Sequence, residues 1–112
     1  GIILHNHICG DTIPIADDFV GTGAQVLEID HKTDARRLKE TARGKTTLLG
    51  NIDTRLLSSG TPAEVEAACR EAIELLAPGG GFILGPGCAL GTDTPAENIH
   101  ALVESAKRYG RY

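Results

Sequence analysis

Residues 79–112, GGGFILGPGCALGTDTPAENIHALVESAKRYGRY, place a short apolar run, Phe82-Ile83-Leu84, behind three glycines and ahead of the helix-start signal Thr94-Pro95-Ala96-Glu97. The threonine supplies a capping hydroxyl, the proline suits the first helical position, and the glutamate reaches back toward the cap. Beyond it Ile99, Leu102, Val103, Ala106 and Tyr109 recur at helical spacing, so one face of this helix is expected to cover a sheet. The stretch is a strand followed by a helix. The same signal, Thr61-Pro62-Ala63-Glu64, occurs upstream, with Val65, Ala68, Cys69, Ala72, Ile73 and Leu76 repeating at the same period.

Three more apolar runs precede it. Residues 2–8 lead to Thr12 and Ile13-Pro14, which open a helix that stops at Gly21 and Gly23. Residues 26–30 lead to a charged helix from about Thr33 to Gly44, and residues 46–52 lead to a connection rich in serine and glycine. Strands alternating with helices imply parallel pairing and right-handed crossovers. The expected class is therefore α/β, with four βα units in one partial domain spanning residues 1–112. At about 28 residues per unit, the four make roughly half of an eight-fold barrel of about 250 residues. A half barrel has two bare sheet edges, to be covered by missing chain or by a second copy in a homodimer. A small open doubly wound sheet is the competing architecture.

Composition sets the bounds. With 112 residues, 41% of them apolar and few aromatic, the chain can bury one modest, mainly aliphatic core. The net charge of −4 and the scattered lysines and arginines leave no basic stripe, which argues against nucleic acid as a partner. No run approaches the roughly 20 apolar residues that cross a bilayer, and the first residues lack the charged-then-apolar order of a signal peptide, so a cytoplasmic protein is expected. Three cysteines without scaffold-like spacing argue for reduced thiols. Methionine is absent, and the chain is read as a piece of a longer protein.

Chemistry concentrates at strand ends. Alternation along the first strand puts His5, His7 and Cys9 on one face and Leu4, Asn6 and Ile8 on the other. Asp30 ends the second strand and Cys88 lies just past the fourth. One nitrogen, two sulfurs and an oxygen are thus expected on one rim, at the carboxyl ends where parallel barrels build active sites. Soft thiolates with imidazole select zinc over magnesium or calcium. A thiol held on a site this rich in thiolate is deprotonated near neutral pH and stays nucleophilic, which suits alkyl transfer to sulfur better than hydrolysis.

Other residues have plainer readings. Cys69 lies on the apolar face of a capped helix and belongs to the core. His5 is an outer partner of the site, a substrate contact or a structural histidine facing the lumen. Asn51 contacts substrate or closes a turn. Asp11 caps a helix, Asp17 and Asp18 form a solvated face, and residues 79–81 make a turn rather than a phosphate cradle, because a strand follows them.

On LHNHICGDT, GAQVLEIDHKTD, LLGNIDTRLLSSGTPAEV and the closing GGGFILGPGCALGTDTPAENIHALVESAKRYGRY, the chain resembles the C-terminal part of the uroporphyrinogen decarboxylase superfamily. The resemblance implies an eight-fold βα barrel of which this chain supplies the later strands. The decarboxylases carry a histidine where this chain has Gly85-Pro86-Gly87, and they lack His-x-Cys. The branch of methylcobamide:coenzyme M methyltransferases has a zinc motif of His-x-Cys followed at a distance by Cys, which falls here on His7, Cys9 and Cys88. In the more distant cobalamin-independent methionine synthase a glutamate closes the second strand, and Asp30 stands at that place, with Glu28 and His31 as alternatives for the fourth ligand. The resemblance implies a Zn2+-dependent methyltransferase that passes a methyl group from a methylcobamide, carried by a corrinoid protein, to a small thiol such as coenzyme M. The alternatives are a uroporphyrinogen decarboxylase-type enzyme of tetrapyrrole biosynthesis and an inactive truncated domain acting only in assembly or metal binding.

Overall fold

A computed structural model describes residues 1–111. Four strands, β1 (His5–Ile8), β2 (Val26–Ile29), β3 (Thr47–Ile52) and β4 (Phe82–Pro86), form one parallel sheet in chain order. A short 3-10 turn (Ile13–Ile15) runs into α1 (Ala16–Gly21); α2 (Ala35–Ala42) follows β2, α3 (Thr54–Ser59) and α4 (Pro62–Leu76) follow β3, and α5 (Ala96–Tyr109) closes the chain. The arrangement is the α/β class expected, an arc of a βα barrel.

The period of two sorts the strands. Leu27, Ile29, Leu48, Ile52 and Phe82 point to the helices and are buried with Leu38, Leu57, Val65 and Leu76. Each such side chain contributes about 1.5–3 kcal/mol relative to exposure, which is what holds the helical layer onto the sheet. The opposite, lumen face follows from the register, in which His5 pairs with Val26, His7 with Glu28, Leu49 with Ile83 and Asn51 with Gly85. Burial on one side and chemistry on the other are thus settled by alternation. No helix among the described residues is long and apolar enough to cross a membrane.

The two helix-start signals behave differently. In α4 the Thr61 hydroxyl accepts from the Glu64 N–H at 3.3 Å while the Glu64 carboxylate accepts from the Thr61 N–H at 2.8 Å, a complete capping box. In α5 the cap is Pro95, no side chain bonds it, and the Thr94 hydroxyl instead donates to the Gly91 carbonyl at 2.8 Å. Helix α5 is held from its side: the Asn98 amide, fully buried, donates to the carbonyls of Leu57 and Gly60 at 2.9 and 2.8 Å. That anchor turns the helix, so Ile99 and Val103, expected to face the sheet, stay 37% and 42% exposed, while Asn98 and Ser105 are buried and Ala101, Leu102 and Tyr109 pack on the core. Replacing Thr61 by alanine is expected to cost about 1 kcal/mol through loss of the cap, and Thr94→Ala markedly less. Urea midpoints of the two variants measure the difference.

Two other expectations change. The connection after β3 contains a helix beyond the four expected, α3, capped by Asp53 accepting from the Arg55 N–H at 2.8 Å and anchored by the buried Leu57. Six residues with one buried side chain are too few to display a helical period. The first strand begins at His5 rather than Ile2, and Ile2 and Ile3 are largely exposed, since the outer edge of β1 has no strand beside it in this chain. Residues 79–81 form a turn, as expected: all three glycines have positive φ, and the buried Lys39 ammonium donates to the Gly80 and Gly81 carbonyls, tying α2 to the turn.

Candidate metal centre

The β1 strand ends by presenting His7 on the lumen face, and Cys9 follows two residues later on the same side. Gly10, at φ +85°, then turns the chain away. The turn is held from the next loop: the Gly10 N–H donates to Asp30 Oδ2 at 2.8 Å, the Thr33 hydroxyl donates to the Gly10 carbonyl at 3.0 Å, and the Thr12 N–H donates to Thr33 Oγ1 at 3.1 Å. Cys88 arrives from the other edge of the sheet, where the Gly87 N–H donates to the Ile52 carbonyl at 2.8 Å.

These supports bring three donor atoms together. His7 Nε2 lies 3.1 Å from Cys9 Sγ, the two sulfurs are 3.6 Å apart, and Cys88 Sγ is 4.0 Å from His7 Nε2. The group is the one cluster of metal-ligating side chains found among the described residues. Tetrahedral zinc with Zn–S of about 2.3 Å and Zn–N of about 2.05 Å requires S···S near ~3.8 Å and N···S near ~3.6 Å. The triangle matches those edges within about half an ångström. The donors therefore fit zinc by type and by spacing, and three protein ligands leave a fourth position open, as in catalytic sites.

The charge around them points the same way. The Cys9 thiol is raised above its ordinary value, first by its hydrogen bond to and the charge of Cys88, then by burial and by the carboxylates of Asp30 and Glu28. A cation bound between the two sulfurs would favour the thiolate form that the surroundings of Cys9 otherwise oppose. Cys69 contrasts: burial pushes its thiol up to about 11 in the core, where it is inert.

The remaining expected residues lie around this triangle rather than in it. Asp30 is 4% exposed, and both oxygens are used in the loop, Oδ2 by Gly10 and Oδ1 by the Lys32 N–H at 3.0 Å. It braces the Cys9 turn and is not among the clustered donors. Burial pushes the Asp30 carboxyl up, but the N–H groups of Gly10 and Lys32 outweigh it and leave the carboxyl below its ordinary value. With the folded value depressed, its contribution to stability is present above the unfolded pKa and is lost as pH falls through the folded one. A fall in the protection of the Gly10 amide relative to its intrinsic exchange rate below about pH 4, ahead of global unfolding, is the expected outcome.

His31 stands behind the site, its Nδ1 3.0 Å from Asp30 Oδ1 and its Nε2 3.6 Å from Asp53 Oδ1, with neither contact in hydrogen-bonding geometry. Glu28 touches His5 and His7 on the lumen face, its Oε2 3.3 Å from His5 Nε2 and 3.5 Å from His7 Nδ1. Asn51 sits on the same face opposite Gly85. Sequence reasoning missed Gly87 and Thr33. A side chain at Gly87 would put its Cβ 2.6 Å from the His31 backbone nitrogen and 3.3 Å from the Asn51 carbonyl carbon, atoms that cannot give way. Gly87→Ala is expected to cost about 1–3 kcal/mol by overpacking and, by displacing Cys88, to weaken metal binding more than its stability loss explains; paired urea and metal titrations separate the two.

Comparison with known proteins adds the lineage. A family model described as uroporphyrinogen decarboxylase (URO-D) matches residues 1–109. The chain belongs to the URO-D family. Among its URO-D relatives are the methylcobamide:CoM methyltransferase MtbA of Methanosarcina mazei, 34% identical over 107 residues covering 92% of this chain and 29% of that protein, and the methylcobamide:CoM methyltransferase MtaA of Methanosarcina barkeri, 34% identical over 105 residues covering 92% and 30%. A solved structure, a methyltransferase from Methanosarcina mazei, superposes with a TM-score of 0.83 at 32% identity over 96% of this chain and 31% of its own length. The chain thus spans about 30% of the length of the curated URO-D relatives it matches. Methyltransferases are thus among the relatives found by sequence and by structure alike, and uroporphyrinogen decarboxylases, such as that of Magnetococcus marinus at 27% identity over 86% of this chain, match as well.

Proposed function

We propose that this chain carries the zinc-binding part of a methyltransferase that moves a methyl group from a methylcobamide, held by a corrinoid protein, to a small thiol such as coenzyme M. One observation supports the reading above the others: an imidazole nitrogen and two sulfurs, drawn from both edges of the sheet, form a triangle of 3.1, 3.6 and 4.0 Å at the carboxyl rim. His7, Cys9 and Cys88 would hold Zn2+, and the relatives named for methylcobamide and CoM support the substrate classes. Zinc bound there supplies Lewis acidity that favours the thiolate form of an acceptor thiol without quenching its nucleophilicity.

The chain's own residues set the conditions. Asp30 and Thr33 keep the Cys9 turn fixed, and the Gly87 N–H keeps Cys88 facing it. His5 and Asn51, on the same lumen face, line the approach of the acceptor thiol. A pair of convergent thiols has no task in a metal-free decarboxylation of tetrapyrrole side chains, and Gly85-Pro86-Gly87 supplies no proton donor at the rim.

Elemental analysis and equilibrium dialysis provide the test. One zinc per chain is expected, together with methyl transfer from methylcobalamin to a thiol when the barrel is complete. A folded chain that takes up no zinc at micromolar concentrations overturns the reading.

A further inference from the structure

We propose that Glu28 is a positioning residue of the metal centre, a role that rests on the zinc reading above and that no ligand motif assigns. It works by fixing which nitrogen of His7 is offered to the metal. The parallel register places Glu28 directly beside His7 on the lumen face. Around His7 Nδ1 there are two oxygens of Glu28, the main-chain carbonyl in hydrogen-bonding geometry at 3.2 Å and the carboxylate Oε2 at ion-pair distance, 3.5 Å. Around Nε2 there are two sulfurs, Cys9 at 3.1 Å and Cys88 at 4.0 Å. Acceptors on one side place the ring proton on Nδ1, so Nε2 carries the lone pair and faces the thiols.

The carboxylate is itself held. His5 Nε2, 3.3 Å from the same Oε2, keeps Glu28 against the imidazole instead of letting it swing into the lumen. His5 gains a role by this route, as the residue that orients the orienter. Glu28 does not join the triangle, because its reach is spent on the far nitrogen of the ring, and it is absent from the group of clustered donor atoms. Ligating histidines that give their second N–H to a carboxylate or carbonyl are more basic and better oriented, and loss of such a partner costs about 10–100-fold in metal affinity. The Glu28 main-chain carbonyl survives any side-chain substitution, so the lower part of that range is expected.

Competition titrations with a zinc chelator, together with cobalt(II) spectra, test the idea in the full chain. Glu28→Ala is expected to weaken zinc about 10-fold, with cobalt(II) bands at wild-type positions because the ligands are unchanged. Glu28→Gln, which keeps a side-chain oxygen beside Nδ1, is expected to recover most of that loss, and His5→Ala to lose a smaller part of it. Wild-type affinity in Glu28→Ala overturns the positioning role while leaving the metal reading intact. An altered cobalt(II) ligand field in Glu28→Ala also overturns it, by making Glu28 a direct ligand. No metal uptake by the wild-type chain overturns the underlying reading instead. Glu28→Ala and Glu28→Gln that weaken zinc equally would reduce the role to general packing and sink the proposal.

Discussion

Cys9→Ser and Cys88→Ser are each expected to abolish tight zinc binding, with an affinity loss beyond the roughly 10–100-fold that removal of an outer partner costs. Each substitution removes one of only two sulfurs in a three-donor triangle; the Asp30 oxygens are occupied by Gly10 and Lys32, and His31 is not among the clustered donor atoms. The hydroxyl of serine is a far poorer zinc ligand at neutral pH than a thiolate. Cobalt(II) spectra give a second readout, because sulfur-to-metal charge-transfer intensity should fall by about half in each variant if two thiolates contribute in the wild type. Far-UV circular dichroism should be unchanged, as both residues lie in loops at the rim. Cys69→Ser is the control: it sits in the core, so it should cost stability and leave zinc binding as it was. Either rim variant binding zinc as tightly as the wild type would remove the metal centre from the protein.

The largest stability effect is expected from Asn98→Asp. The Asn98 amide is fully buried and donates to two carbonyls at the end of α3, so a carboxylate there would face two acceptors with no donor. An uncompensated buried charge costs about 3–5 kcal/mol, a large share of the 5–15 kcal/mol that holds a domain together. Because burial among carbonyls raises the new carboxyl's folded pKa above its unfolded value near 3.9, the variant binds more protons folded than unfolded. Its deficit relative to wild type should therefore be greatest at neutral pH and shrink as pH falls through the folded value. Urea unfolding at several pH values measures this, and a deficit independent of pH would show that charge is not the cause. Asn98→Ala, which leaves both carbonyls unpaired but adds no charge, should fall between the two.

The triangle and its supports were unequally visible in the sequence. His7 and Cys9 could be paired because alternation along a strand puts every second residue on one face, and Cys88 because it follows a strand at the same rim. The place of Asp30 at a strand end marks it as a donor. That place is also where a loop needs acceptors for its N–H groups, and in the structure the loop claims both oxygens. Glu28 was visible only as a substitute ligand. Its contact with His7 depends on the pairing of β1 with β2, which periodicity within one strand cannot supply. The repeated Thr-Pro-Ala-Glu signal teaches the same lesson: it forms a full box at Thr61 and none at Thr94, where Asn98 and the turn at Gly91 set the helix instead.

By itself the sequence determined the α/β class, the four parallel strands, the buried face of α4 and the identity of the three clustered donors. All of these follow from local rules, namely period, capping and ligand chemistry, that act over a few residues. Only the tertiary structure decided the rotation of α5, the existence of α3, the employment of Asp30 as a brace and the meeting of Glu28 with His7. Apart from the Asp53 cap of α3 and the Lys32 bond to Asp30, these rest on contacts between residues about 20 to 40 positions apart, chosen by packing and by the need of buried polar groups for partners, and no local pattern encodes that choice.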